Sequence, residues 1–137
     1  MSDYCLEQPM ELIDWYDGIV QAIISTKRTQ GQFLCSLLAF NVESRNRVFA
    51  LLPLEDVEVS NIRSRLGGDW NELLSYLKRL WHSADGDITL LCALNGVDVI
   101  AETIVDARIL KDQTVNDIEE AVSDSREKWF DLFPSTL

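Results

Sequence analysis

The stretch "TLLCALNGVDVIAETIVD", Thr89 to Asp106, decides the fold. Its left half is almost wholly apolar, its right half alternates apolar with polar, and an Asn-Gly pair stands between them. Asn-Gly between two such runs is the strongest short-range signal for a hairpin with a type I′ turn. A two-residue turn at Asn95-Gly96 pairs Leu94 with Val97, Cys92 with Val99, Leu90 with Ala101 and Ile88 with Thr103. That face is then apolar or threonine and belongs to a core, with Cys92 as a small buried thiol. The opposite face sets Thr89, Leu91 and Ala93 against Asp98, Ile100 and Glu102, a mixed surface.

Outward from the hairpin, "GIVQAIISTK", "FLCSLLAFN" and "RVFALLPL" read as three further antiparallel strands, separated by the turn-forming "RTQGQ" and "VESRN". Both alternating sets of the middle strand are mostly apolar, which places it centrally with both faces covered. Pro53 cannot donate a ladder hydrogen bond and belongs at a strand end or edge. Lys27 and Arg28 fall at one end of this meander and Arg45 and Arg47 at the other, about 30 Å apart across a nine-residue strand. They read as solvated turn residues and form no single basic patch.

Helices follow from periodicity. "DWNELLSYLKRLWHSAD" starts with Asp69 as N-cap and Glu72 three residues on, and Trp70, Leu73, Leu74, Leu77, Leu80, Trp81 and Ala84 make its buried stripe. His82, the only histidine, falls at the margin or in solvent. A shorter helix over Asp56 to Leu66 turns Val59, Ile62 and Leu66 inward and stops at Gly67. A second long helix, Thr114 to about Leu132, buries Val115, Ile118, Val122, Trp129 and Phe133. Residues 9–17, "PMELIDWYD", fit either a turn of helix or an edge strand.

The sum is a single α+β domain: a mainly antiparallel sheet of about five strands packed by two long helices and one short one. Its parts are an acidic segment 1–17, a meander 18–54, a helical pair 55–84, the hairpin 88–106 and a C-terminal helix 114–132. Chain length agrees: 137 residues hide about 68% of the extended chain's surface on folding. At 47% hydrophobic and 26% charged residues the composition is that of an ordinary globular protein.

Charge narrows the function. The net charge is −11, with five acids and no base in residues 1–17, and twelve acids against four bases in residues 85–137. Such a field opposes nucleic-acid phosphates and anionic membranes and favours a basic protein partner. The opening segment lacks the basic start of a secretory signal, and no apolar run approaches the roughly 20 residues of a spanning helix. A cytoplasmic location without a membrane span is expected. Three cysteines, Cys5, Cys35 and Cys92, without Cys-x-x-Cys spacing, suit reduced thiols.

Catalytic and metal motifs are scarce. One histidine and dispersed cysteines give no zinc spacing, no Gly-x-Ser-x-Gly elbow is present, and "RLGGDWN" matches no phosphate-binding loop; Asp69 would repel a phosphate. No metal and no cofactor is expected. "SADGDIT" brackets Gly86 with Asp85 and Asp87 and reads as a helix-to-strand turn. The candidate binding residues are Asp14, Trp15, Tyr16 and Asp17 in "DWYDG". An acid pair beside aromatic rings can bind a sugar, an amine or a basic peptide; the competing reading is an aromatic anchor packed on the core.

The expected function is a non-enzymatic protein-interaction module, an adaptor or an inhibitor of the immunity type. The alternative is a small-ligand-binding regulatory domain whose pocket lies between sheet and helices, walled by Trp15, Tyr16, Trp81 and Trp129. An enzyme using Asp14 and Asp17 as acid and base ranks last. A homodimer through a sheet edge or a helix face is compatible with either leading reading.

Overall fold

The computed structural model describes residues 3–27 and 31–133. Six strands form one antiparallel sheet in simple sequence order: β1 (Glu11–Trp15), β2 (Ile19–Ser25), β3 (Gln32–Phe40), β4 (Arg47–Pro53), β5 (Asp87–Leu94) and β6 (Asp98–Asp106). Helices α1 (Asp56–Arg65) and α2 (Trp70–His82) sit between β4 and β5 in sequence, and a short α3 (Ile118–Ala121) follows β6. The α+β class is as expected. The sheet has six strands rather than about five, because residues 11–15 form an edge strand and not a helical turn.

Both faces of the sheet are covered. On one, Ile23, Leu34, Leu38, Ala50 and Leu90 pack against Val59 and Ile62 of α1, Leu73, Leu77 and Trp81 of α2, and Trp129 and Phe133 near the C-terminus. On the other, Ala22, Ile24, Cys35, Leu37, Phe49 and Leu91 cluster with Leu6, Val115 and Ala121. The central β3 is buried on both sides, as its sequence implies, and Pro53 ends β4 at an exposed position.

The hairpin departs from its expected register. Asn95 and Gly96 do adopt positive φ (54° and 75°), and the Val97 N–H donates to the Leu94 carbonyl at 3.1 Å. The strand ladder, however, starts by pairing Leu94 with Asp98, then Ala93 with Val99 and Cys92 with Ala101, so Ile100 is an extra residue that bulges from β6. Beyond the bulge Leu90 pairs with Thr103 and Ile88 with Val105. Cys92 stays in the core, but Val99 turns to the opposite cluster and Leu94 is exposed. The physical reason is that β5 is apolar on both faces, Leu91 and Ala93 being as buried as Leu90 and Cys92. Its hydrophobic pattern therefore selects no register, which the loop and bulge then set.

Helix α2 begins as expected, with the Asp69 carboxylate accepting from the Asn71 and Glu72 N–H groups. Its stripe omits Trp70, which lies in the first turn and is exposed. Helix α1 stops where Gly67 takes φ +83°. His82 is exposed, with its Nδ1 3.9 Å from an Asp112 oxygen.

The expected helix over residues 114–132 is not continuous. Val115 lies outside any helix and donates its N–H to the Leu37 carbonyl at 3.4 Å, α3 starts only at its Asp117 cap, and a 3₁₀ stretch, Asp124–Leu132, follows after Ser123. The Ser123 N–H closes on the Glu120 carbonyl at 3.3 Å, a bond of i−3 type that ends the α ladder, and its hydroxyl meets that of Ser125 at 3.1 Å. Trp129 and Phe133 still reach the core. Among the described residues no helix is long and apolar enough to cross a membrane.

Candidate functional site

The four candidate residues converge on the β1–β2 turn at one edge of the sheet. Tyr16 donates its N–H to the Gly18 carbonyl at 2.9 Å, and Asp17 and Gly18 take φ of 52° and 148°. Positive φ at a non-glycine residue is uncommon, and Asp tolerates it better than most. Asp14 accepts the Trp15 N–H on Oδ1 at 2.9 Å.

A buried arginine holds this turn in place. Arg47, at the start of β4, is 1% exposed; it donates through Nη1 to the Ile19 carbonyl (2.9 Å) and through Nη2 to the Tyr16 carbonyl (2.6 Å). Its guanidinium carbon stands 4.5 Å from the centroid of the Phe40 ring. A Cβ on Gly18 would lie 3.1 Å from Arg47 Cζ, and one on Gly96 3.1 Å from Arg47 Cδ. The arginine therefore occupies a slot that exists because both neighbouring turns carry glycine. Burial pulls its pKa below the usual arginine value, while Asp17 acts in the opposite sense. The expectation that Arg47 is a solvated turn residue is corrected. Arg28, read as a turn residue at the other end of the meander, lies outside the described residues.

With its backbone tied down, the turn presents its rings outward. Trp15 is 55% and Tyr16 58% exposed, with Leu12 and Met10 of the same edge also in solvent. The reading of these rings as an anchor packed on the core is overturned, because both are more than half exposed at the outermost strand of the sheet. Glu11 is held by Arg63 of α1 at 2.9 Å, which fixes the strand from the other side.

Asp14 has its pKa raised by burial first, with Asp117 acting in the same direction and the Trp15 N–H opposing both. A carboxyl group whose folded-state pKa exceeds its unfolded value binds protons more tightly in the folded state. Stability then falls as pH rises through the interval between the two values and stays lower above it. Asp14→Asn keeps the acceptor for the Trp15 N–H and removes the charge. We expect a small rise in Tm at pH 7 that fades as the pH falls and is gone below the ordinary aspartate pKa, read by thermal denaturation across pH. A lower Tm at pH 7 would contradict this placement of Asp14.

The other aromatic candidates lie elsewhere. Trp81 and Trp129 are 1% and 2% exposed, and Trp81 Nε1 donates to Ser36 Oγ (3.0 Å), which donates to Gln21 Oε1 (2.6 Å). Gln21 Nε2 donates onward to the Val115 carbonyl at 3.3 Å. These indoles are core members, and the four rings form no common wall. A cavity of about 360 Å³ lies instead between the N-terminal segment (Tyr4, Glu7), Lys27 just after β2, and Val97, Asp98 and Val99 at the start of β6.

Asp85 and Asp87 flank Gly86, whose φ is +76° and whose carbonyl accepts from the Ala107 N–H at 2.9 Å, a turn joining α2 to β5. Among the described residues no group of three His, Cys, Asp or Glu side chains lies together as a metal site. The three cysteines are unpaired, and burial pushes Cys35 and Cys92 above the ordinary thiol pKa. Sequence reasoning missed Arg47. Its only signal was an arginine opening an otherwise apolar strand, with glycines in two turns remote from it in the chain.

Comparisons with protein-family models, with curated proteins and with solved structures return no match.

Proposed function

We propose that the protein is a non-enzymatic interaction module, an adaptor or an inhibitor of the immunity type, acting in the cytoplasm. Its β1–β2 turn docks on a basic protein partner. The observation that carries this reading is the outward presentation of Trp15 and Tyr16 between two carboxylates on a backbone locked by Arg47. Tryptophan and tyrosine supply large contact area at low entropic cost and dominate many interface energies. The flanking Asp14 and Asp17 and the net charge of −11 favour encounter with a positively charged surface.

Trp15→Ala combined with Tyr16→Ala tests it. Both side chains are more than half exposed, so the change in stability should stay within about 1 kcal/mol. Affinity for a partner captured from native lysate at low salt should fall by about 30-fold or more, the equivalent of one hot-spot residue. Recovery of the same proteins by the wild type and the double variant, with equal salt sensitivity, would contradict the proposal.

A further inference from the structure

The N-terminal segment links the two sides of the sheet. Tyr4 bridges to Thr26 just beyond β2, and the Cys5 N–H donates to the Ser25 carbonyl at 3.1 Å. The Tyr4 hydroxyl also hydrogen-bonds with Thr89 of β5, and Tyr4 and Val99 of β6 pack against the same apolar cluster. The cavity of about 360 Å³ is the gap left between this segment and the start of β6. Small-molecule sites span roughly 300–1,000 Å³, so this one suits a small ligand.

Its lining divides into a floor and a rim. Tyr4, Val97 and Val99 are half-buried, whereas Glu7, Lys27 and Asp98 are exposed. Among the described residues none of these three charged side chains has an ion-pair partner. Two carboxylates and one ammonium therefore border an apolar floor with their charges uncompensated.

That combination selects the ligand by charge. A phosphate would meet two carboxylates for one cation. A simple carboxylic acid answers Lys27 and is repelled by Glu7 and Asp98, and a simple amine answers the acids and is repelled by Lys27. A molecule with one ammonium, one carboxylate and a short apolar group satisfies the whole lining, through charge-assisted hydrogen bonds at the rim and apolar contact at the floor.

We propose that this cavity binds a free α-amino acid with an apolar side chain. Lys27 takes its carboxylate, Glu7 and Asp98 its ammonium, and Tyr4, Val97 and Val99 its side chain. The residues of the Trp15–Tyr16 turn do not line the cavity, and the proposal stands or falls independently of partner docking there.

The probes are L-leucine, L-methionine and L-phenylalanine, each beside its own analogues lacking the carboxylate or the ammonium. Cys5 lines the cavity and is half-buried, while Cys35 and Cys92 are 0% and 1% exposed. Iodoacetamide should therefore alkylate the native protein at Cys5 first, and a bound amino acid should slow that reaction. At least one of the three amino acids should bind about tenfold or more tightly than either of its analogues, with amide shifts centred on residues 4–8, 27 and 97–99. Lys27→Met should weaken the amino acid by about tenfold and leave its amine analogue unaffected. Glu7→Gln combined with Asp98→Asn should weaken the amino acid and the amine but not the carboxylate analogue. All three positions are exposed, so the variants should fold.

No protection of Cys5 by any of the three amino acids would overturn the proposal. Equal binding of the analogues would reduce the effect to apolar adhesion and overturn it too. So would amide shifts centred elsewhere, or binding that the rim variants leave unchanged.

Discussion

Replacing Arg47 with alanine is expected to lower the unfolding free energy by about 3–5 kcal/mol, from two lost hydrogen bonds of a charged donor together with the cavity left by a large buried side chain. The carbonyls of Tyr16 and Ile19 lose their donors, and Phe40, Gly18 and Gly96 face an emptied slot. Arg47→Met separates the two contributions. Methionine refills much of the volume and supplies no donor, so the cost should remain about 2–3 kcal/mol from unpaired buried carbonyls. Urea denaturation measures both variants. A loss below about 1 kcal/mol for Arg47→Ala would mean that the turn holds its shape without the arginine. In a partner-binding assay both variants should also weaken association, because a turn freed from its lock must be reordered on binding.

The second large effect is at Trp81. Truncation to alanine in a site 1% exposed should cost about 3–5 kcal/mol, a fall in Tm on the order of 10–20 °C for a domain of this size. Trp81→Phe retains the ring but leaves Ser36 Oγ without the indole donor, and about 1–2 kcal/mol is expected. The buried chain from Trp81 through Ser36 to Gln21 predicts coupling. Ser36→Ala orphans both the indole N–H and Gln21 Oε1 in the wild type, but only Gln21 Oε1 in the Trp81→Phe background. The double variant should therefore lose less than the sum of the singles. Strict additivity would show that the hydroxyl does not bridge the two side chains.

Local signals made much of the fold readable from the chain. Asp69 and Gly67 mark helix ends through backbone chemistry that depends on few neighbours, and the repeat of Leu73, Leu77 and Trp81 identifies a buried face. β3 was recognisable as central because both of its alternating sets are apolar. The register of β5 on β6 was not readable for a related reason: a strand buried on both sides satisfies several pairings equally well. The C-terminal region misled because Val115, Ile118 and Trp129 are spaced as on a helix. The Val115 N–H instead bonds to Leu37 of β3, a contact across more than half the chain.

At the candidate site, residue types pointed to Asp14, Trp15, Tyr16 and Asp17, but their orientation depends on tertiary structure. Whether Trp15 packs inward or projects outward follows from β1 lying at the sheet edge. The turn that carries it is held by Arg47, which also packs beside Gly96 in the β5–β6 loop. Residues 16, 47 and 96 meet only after the sheet has formed, so no local pattern could announce the arrangement.

Amide hydrogen exchange of the protein alone and in the complex captured at low salt shows whether a basic partner docks on the locked aromatic turn. Slowed exchange on binding is expected to concentrate in residues 10–19. Unchanged exchange there, with protection appearing on α2 or on β6 instead, would contradict it.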